Sequence, residues 1–429
     1  MTQLPALPDL VGAPHFHYVD GILHAESVSL ADLADKMGTP LYVYSRAALQ
    51  AAYARYSDAV GGRDVLVCYG MKANSNLAVL KEFARLGAGF DIVSGGELQR
   101  VLSVGGDPTR IVFSGVGKLD WEMRAALQVG VKSFNVESEA ELRRLSAVAE
   151  EMGLRAPVSL RVNPDVDAKT HPYISTGLKE NKFGIAIEQA LDVYRLAHAL
   201  PAIDIVGVDC HIGSQLTDIS PYLDALDKLL DLIDTLRTEN IVIHHLDIGG
   251  GLGIRYTDET PASPAALLDR VFERLNARGH GGMQVVMEPG RSLVGNAGVL
   301  LTTVQYLKHA DARNFAIVDA AMNDLLRPSL YQAWHGVVPV AAHGGSTRRY
   351  DIVGPVCESG DWLAKDRDLA LEQGQVLALE SAGAYSMAMS SNYNARGRAA
   401  EVIVDGAHFH IVRHRESFED QIRGESTLP

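Results

Sequence analysis

The chain has 429 residues, 47% of them apolar, enough for two domains or for one large barrel with an addition. Its formal net charge of −14, with Lys and Arg scattered among the acids, excludes the clustered cationic surface that nucleic-acid binding requires. No apolar run is long enough to span a membrane, and "MTQLPALPDLVGAP" lacks the basic start and long apolar stretch of a signal peptide, so a cytoplasmic location with no membrane partner is expected.

The first elements are two alternating segments in "FHYVDGILHAESVS", joined by the hairpin signal Asp20-Gly21, and a short helix with Ser29 as N-cap and Gly38 after its last turn. From residue 64 short apolar runs alternate with segments of helical period. Eight such runs, 64–69, 90–93, 111–114, 133–136, 158–162, 205–210, 244–248 and 284–288, predict a closed parallel (β/α)8 barrel. In "EAELRRLSAVAEEMG" the residues Leu142, Leu145, Val148, Ala149 and Met152 share one helical face, with Gly153 as the stop. "SPYLDALDKLLDLIDTLR" reads as a helix with Ser220 as N-cap and Pro221 at its first position. Between the fifth and sixth runs, "DVDAKTHPYISTGLKENKFGI" inserts a polar loop of a length that is usually functional or disordered.

Beyond residue 292 the texture becomes strand-like without regular helices, as in "VLLTTVQYLKH", "RRYDIVGPVC" and "AEVIVDGAHFHIV". The expected organisation is therefore an α/β barrel over 39–291 and an all-β domain, sandwich or barrel, over 292–429. The hairpin and helix of 1–38 are expected to pack with the β domain, and the last residues, "DQIRGESTLP", to fray.

In a parallel barrel the residues that follow the strands gather on one rim, where chemistry is done. Here those are Lys72; Asp91 and the "SGGE" turn; Arg161 and Asn163; His211 and Ser214 in "HIGSQ"; the turn "GGGLG" with Gly250 and Gly251; and "EPGR", Glu288 to Arg291, with Gly290. By itself "GGGLG" is equally a tight turn, but after strand seven it occupies the usual phosphate-binding position of such barrels. A phosphate site, an isolated lysine and a strand-end carboxylate together suggest pyridoxal 5'-phosphate. Lys72 would bind it covalently, Glu288 would hydrogen-bond the pyridine nitrogen and His211 would stack on the ring. Asp91 and Arg161 read as a rim ion pair in support. Cys68 and Cys210 lie inside apolar runs and read as inert; Cys357, before "ESGD", reads as exposed. Widely spaced cysteines, and histidines without ligand spacing, suggest neither a disulfide framework nor a metal site.

The set "YGMKANSNLAVL", "GAGFDIVSGGEL", "HPYISTGLKENKFGI", "HIGSQ", "GGGLGIRY", "EPGRSLVGNAGVL", "MNDLLRPSLYQAWH", "GPVCESGD" and "GAYSMAMSSNYNAR" resembles the diaminopimelate decarboxylase family, of the alanine-racemase-like fold type of pyridoxal phosphate enzymes, over residues 15 to 415. The resemblance implies decarboxylation of meso-2,6-diaminopimelate to L-lysine by a homodimer with shared active sites. It assigns Lys72 and His211 to the cofactor and Gly251 with the Glu288 to Arg291 turn to phosphate and pyridine. Tyr385 would reach phosphate or substrate; Arg291, Arg327 and Tyr331 would bind substrate carboxylate; Glu358 would meet the distal ammonium; Cys357 would donate a proton from the partner subunit. These residue types suit the tasks: arginine pairs bidentately with carboxylate, and an ordinary thiol, with a pKa of about 8.5, can protonate a carbanion. Gly397 and Ser386 depart from the family pattern, which has proline at the first and glycine or cysteine at the second. The alternatives are a relative acting on ornithine, arginine or carboxynorspermidine, for which the Arg327, Tyr331 and Glu358 set is oversupplied, and a non-catalytic relative that binds pyridoxal phosphate.

Overall fold

The structure, a computed structural model, describes residues 9–167, 181–342 and 344–429. It divides into two compact units. One is the chain up to Ala51 with Arg255–Glu259 and Leu293–Pro429; the other is Ala52–Ile254 with Thr260–Ser292. The chain opens with β1 (Phe16–Val19), β2 (Ile22–Ala25) and β3 (Val28–Ser29), an antiparallel meander. Asp20 and Gly21 both take positive φ, 49° and 81°, the twist that a two-residue hairpin needs. In α1 (Leu30–Met37) the Ser29 side chain accepts from the amide of Asp32, and Gly38 ends the helix at φ 69°.

Strand β4 (Leu41–Ser45), which the sequence pattern grouped with the barrel, runs in the β sheet of the first unit, and α2 (Arg46–Val60) follows it. The barrel of the second unit comprises β5 (Val65–Gly70), β6 (Gly89–Ile92), β7 (Ile111–Phe113), β8 (Ser133–Val136), β9 (Ala156–Asn163), the short β10 (Ile185–Ala186), β11 (Ile203–Asp209), β12 (His245–Asp247) and β13 (Gln284–Met287). Eight of these strands pair in parallel, and β13 closes onto β5 with Val285 opposite Val65. The eight apolar runs are these eight strands, each within two residues at both ends. Among the described residues strand β10 pairs only with β9, where the insertion returns; residues 168–180 of that insertion lie outside them. Leu66, Cys68, Val112 and Val286 form a cluster from three of the barrel strands.

Outside the strands lie α3 (Leu77–Arg85), α4 (Gly95–Ser103), α5 (Asp120–Val129), α6 (Glu139–Met152), α7 (Ile187–Ala199), α8 (Ser220–Thr238) and α9 (Pro264–Ala277). In α6 the predicted face buries Leu142, Leu145, Val148 and Ala149, while Met152 stays partly exposed at the end; Gly153 stops the helix at φ 65°. Ser220 is the first helical residue of α8 rather than its cap. Its amide and hydroxyl both donate to Asp218 Oδ1, at 3.0 and 2.9 Å, so Asp218 satisfies the first amide of the helix and draws the Ser220 hydroxyl with it.

The first unit is completed by β14 (Gly298–Lys308), β15 (Asn314–Val318), β16 (Val337–Pro339), β17 (Arg348–Val353), β18 (Trp362–Leu369), β19 (Val376–Leu379), β20 (Ala400–Asp405) and β21 (His408–Arg413). Strand β4 sits between β14 and β20, antiparallel to the first and parallel to the second. Phe16, Leu23 and Leu30 from the amino-terminal elements share one core with Leu41, Val43, Leu301 and Val402. The carboxyl terminus, expected to fray, carries a further short helix, Phe418–Ile422, closed by a capping box between Ser417 and Asp420.

Phe134 of β8 is fully buried and stacks on Phe113 with ring centroids 5.9 Å apart. Phe134→Ala is expected to cost about 3–5 kcal/mol of stability by the cavity it leaves, measured as a lowered urea midpoint; an unmoved midpoint would place Phe134 outside the barrel's essential packing.

Candidate active site

Strand β5 runs buried to Gly70 and passes into a single 3-10 turn, Met71–Ala73, that carries Lys72. Gly70 N–H donates to the Pro289 carbonyl at 3.0 Å, which ties the ends of β5 and β13 together. The Lys72 side chain is 39% exposed, but its ammonium is not left to water alone. It is ion-paired with Asp91 Oδ2 at the end of β6, whose side chain is wholly buried. Asp91 Oδ1 has no hydrogen-bond partner among the described residues. The expected Asp91–Arg161 pair is thus replaced by two pairs, Lys72 with Asp91 and Arg161 with Glu137 at 3.0 Å, because each cation meets a nearer acid on an adjacent strand end.

His211 follows β11, and its Nδ1 accepts from the amide of Gly250 at 3.1 Å. Burial, with the charges of Arg161 and Lys72, holds its pKa well below the ordinary value, so the ring is neutral with its proton on Nε2. The two loops that follow β11 and β12 lie backbone against backbone. Leu216 N–H donates to the Gly251 carbonyl and Gly253 N–H to the Leu216 carbonyl, both at 2.9 Å. A Cβ on Gly250 would stand 2.2 Å from the Glu288 carbonyl, and one on Gly251, at φ 111°, 2.4 Å from the Gly213 carbonyl. Arg291, buried, donates to the Ser214 hydroxyl at 3.0 Å.

Glu288 is 6% exposed and faces the Ser114 hydroxyl at 3.4 Å and the Asn135 amide at 3.3 Å. Burial and the neighbouring acids push its carboxyl pKa well up. Two of those acids were not singled out in the sequence. Asp209 and Asp247 sit directly opposite each other at the ends of β11 and β12 and, with Glu288, bring three carboxylate oxygens within 4.8 Å of one another. Asp209 is likewise pushed well up, by burial and then by Asp247, and Asp247 to about 6, chiefly by burial. Three carboxylates so close in a dry interior cannot all be charged; they share protons. The available signal was an aspartate at the same place in two otherwise apolar runs.

The remaining predicted residues belong to the first unit. Arg327 is buried, donates to His335 Nε2 at 2.7 Å and lies 4.8 Å from the centroid of the Tyr256 ring; His335 Nδ1 in turn donates to the Glu380 carbonyl at 2.8 Å. Tyr331 ends the short helix Arg327–Tyr331 and is half-buried. Tyr385 is half-buried on a backbone of φ 54°, a strained setting for a tyrosine. Cys357 and Glu358 are exposed, whereas Cys68 and Cys210 are buried and their thiols pushed up by burial. Asp361 organises the "CESGD" turn by accepting from the amides of Val356 and Met322, both at 2.7 Å. The Cys357 amide donates to Asn394 Oδ1 at 3.1 Å, and Glu358 raises the pKa of the neighbouring Tyr393 hydroxyl by its charge and by a hydrogen bond. Asn394 and Tyr393 were quoted within a motif but not assigned.

Residues 46–295 match the family described as pyridoxal-dependent decarboxylase, pyridoxal binding domain. The chain is 61% identical over 414 residues to a diaminopimelate decarboxylase of Pseudomonas aeruginosa, covering 96% of this chain and 99% of that protein. It is 57% identical over 416 residues to one of Vibrio cholerae, covering 97% and 99%. Among solved structures, diaminopimelate decarboxylase from Helicobacter pylori complexed with L-lysine superposes with a TM-score of 0.88 at 41% identity over 92% of this chain and 98% of that one. The enzyme from M. jannaschii, also in complex with L-lysine, gives 0.92 at 38% identity over 97% and 99%. Among the described residues no helix is long and apolar enough to cross a membrane.

Asp247 supplies a test of the carboxyl cluster. Its folded pKa of about 6 lies above the ordinary 3.8, so its contribution to stability is full below the unfolded value and is lost as pH rises through the folded one. Asp247→Asn, which cannot ionise, should therefore gain on the wild type by up to about 3 kcal/mol between about pH 4 and pH 7. Urea unfolding of both proteins at the two pH values measures this, and a pH-independent difference would mean that Asp247 is not held protonated by the fold.

Proposed function

The chain belongs to the diaminopimelate decarboxylases, a branch of the pyridoxal-dependent decarboxylases, and from that premise we propose that it converts meso-2,6-diaminopimelate to L-lysine and CO2, the last step of lysine biosynthesis. The observation that carries the reading is the meeting, on one barrel rim, of Lys72, a neutral His211, a buried Glu288 and the Gly-rich turn. These residues fit pyridoxal 5'-phosphate on physical grounds. The site offers a primary amine, an uncharged aromatic ring, a carboxyl that holds a proton, and backbone amides beside the Ser214 hydroxyl and Arg291 guanidinium.

Lys72 would hold the cofactor covalently, Ser214, Gly250, Gly251 and Gly290 its phosphate with Tyr385, Glu288 its ring nitrogen and His211 its ring face. The bound cofactor supplies an electron sink for the pair released when the bond to the departing carboxylate breaks. Asp91 stabilises the charge on Lys72 Nζ, which must lose a proton before the amine can react, and Asp91 Oδ1 is an acceptor close by. Glu288 holds a proton at its carboxyl to share with the ring nitrogen, and Asp247 and Asp209 keep that proton from being lost to water. The neutral His211 adds no positive charge against the pyridine.

Selectivity follows from the substrate's two amino-acid ends. Arg291, Arg327 and Tyr331 would clamp carboxylate, and Glu358 the distal ammonium. Cys357 Sγ would return a proton to Cα after CO2 leaves. The exposure of Cys357, Glu358 and Tyr393 supports a homodimer in which this turn completes the partner's site. The same reading sets the enzyme in the cytoplasm.

Purified protein loaded with pyridoxal phosphate should release CO2 and lysine from meso-diaminopimelate and leave L-ornithine, L-arginine and carboxynorspermidine unchanged. Turnover of one of the other amines instead would overturn the proposed clamp. Cys357→Ala should lower kcat by roughly 10²- to 10⁴-fold, and Lys72→Ala should abolish covalent retention of the cofactor. Mixing these two variants should recover part of the activity through hybrid dimers; no recovery would mean that each site is built from a single chain.

A further inference from the structure

Glu137, the residue that follows β8, had no place in the sequence reading, yet three separate segments of the barrel rim converge on its carboxylate. Its side chain is 2% exposed. Oε1 accepts from the Gly115 amide after β7 at 3.1 Å and from Arg161 Nη1 of β9 at 3.0 Å; Oε2 accepts from the Gly184 amide, where the insertion returns, at 3.0 Å. The main chain of Glu137 is itself held. Its amide donates to Glu141 Oε2 at 2.9 Å, and Glu141 Oε1 receives Lys118 Nζ at 2.7 Å. Lys118, with no exposed side-chain surface, also donates to the carbonyls of Gly115 and Asn135, each at 2.8 Å.

Arg161 is the cation through which this network reaches the site. Its guanidinium lies 4.9 Å from the centroid of the Phe183 ring, and its charge acts on Asp209, Glu288 and His211. A guanidinium buried beside three acids has a choice of partners, and a shift toward Asp209 or Glu288 would draw those carboxyls into an ion pair. The doubly anchored Glu137 removes that choice. One of its oxygens takes the guanidinium while both are fixed by backbone amides, so the orientation of Arg161 follows from the backbone of the rim.

We infer that Glu137 is a positioning residue for the cofactor site: it fixes Arg161 on the barrel rim, away from Glu288, and leaves the Glu288 carboxyl for the ring nitrogen. This rests on the pyridoxal phosphate reading above, but its consequences are separable from it. Were Glu137 only a structural partner for a buried cation, Glu137→Gln would lower stability but leave the visible spectrum unchanged once the site is saturated with cofactor. A positioning role predicts an altered spectrum in Glu137→Gln and its return, with cofactor affinity, when Arg161 is removed too, since no guanidinium is then left to pair with Glu288.

The experiment compares wild type, Glu137→Gln and the double variant Glu137→Gln/Arg161→Gln by thermal melting, by titration of each apoprotein with pyridoxal 5'-phosphate, and by the visible spectrum of each holoprotein. Glu137→Gln should melt at lower temperature and bind the cofactor about tenfold more weakly or worse, as expected for losing a charge-assisted hydrogen bond. The double variant should regain the wild-type melting temperature, affinity and visible band, whereas Glu137→Gln saturated with cofactor should keep an altered band. A visible band identical to the wild type in saturated Glu137→Gln, or binding still weak in the double variant, would overturn the inference. So would an unperturbed Glu137→Gln. Should the wild type itself bind no pyridoxal phosphate, it is the functional reading that fails, and the melting data would still report the Glu137–Arg161 pair.

Discussion

Everything in the barrel unit depends on the hydrogen bonding of β13 to β5. Parallel strands present all their carboxyl ends at one rim, but only closure makes the last strand a neighbour of the first. With Val285 opposite Val65 and Gly70 bonded to Pro289, Lys72 and Glu288 come to adjacent strand ends although most of the barrel lies between them in sequence. The loops after β11 and β12 then have no room for side chains beyond hydrogen at Gly250 and Gly251, and the rim is lined there by backbone. The Gly-rich turns are consequences of that crowding as much as of any ligand.

The second constraint is electrostatic. Among the described residues Lys72 and Arg161 stand among Asp91, Glu137, Asp209, Asp247 and Glu288, all buried. In a weakly polarisable interior the excess of acid over base is relieved by protonation rather than by separation. Lys72 and Arg161 each take one carboxylate by direct pairing, and the remaining three keep protons among themselves. A reaction that builds negative charge on an aromatic ring benefits from such a division, in which Glu288 keeps a proton and His211 stays uncharged.

Local features of the chain were legible because their causes are local. Asp20-Gly21 makes a hairpin since both residues accept positive φ, and Ser29 and Gly153 begin and end helices through atoms no more than four residues away. The displaced cap of α8 belongs to the same scale: Asp218 accepts from the amide of Ser220, which makes Ser220 the first helical residue, and sequence pattern alone does not rank two capping residues two positions apart. Strand β4 was harder to place. Its pattern, buried at every position, is that of any central strand, and its partners β14 and β20 are remote in the chain.

By itself the sequence determined the barrel, the β-rich remainder and the set of residues gathered at strand ends, because period, turn chemistry and the direction of parallel strands are carried by short stretches of chain. It also carried the family, through motifs whose residue types suit a cofactor with a phosphate, an aldehyde and a pyridine. Only the tertiary structure decided which acid each cation meets, that Asp209 and Asp247 share protons with Glu288, and that Glu137 governs Arg161. Those outcomes depend on distances of a few ångströms between neighbouring strand ends and on the burial of those ends, and neither distance nor dielectric is written in the order of residues along the chain.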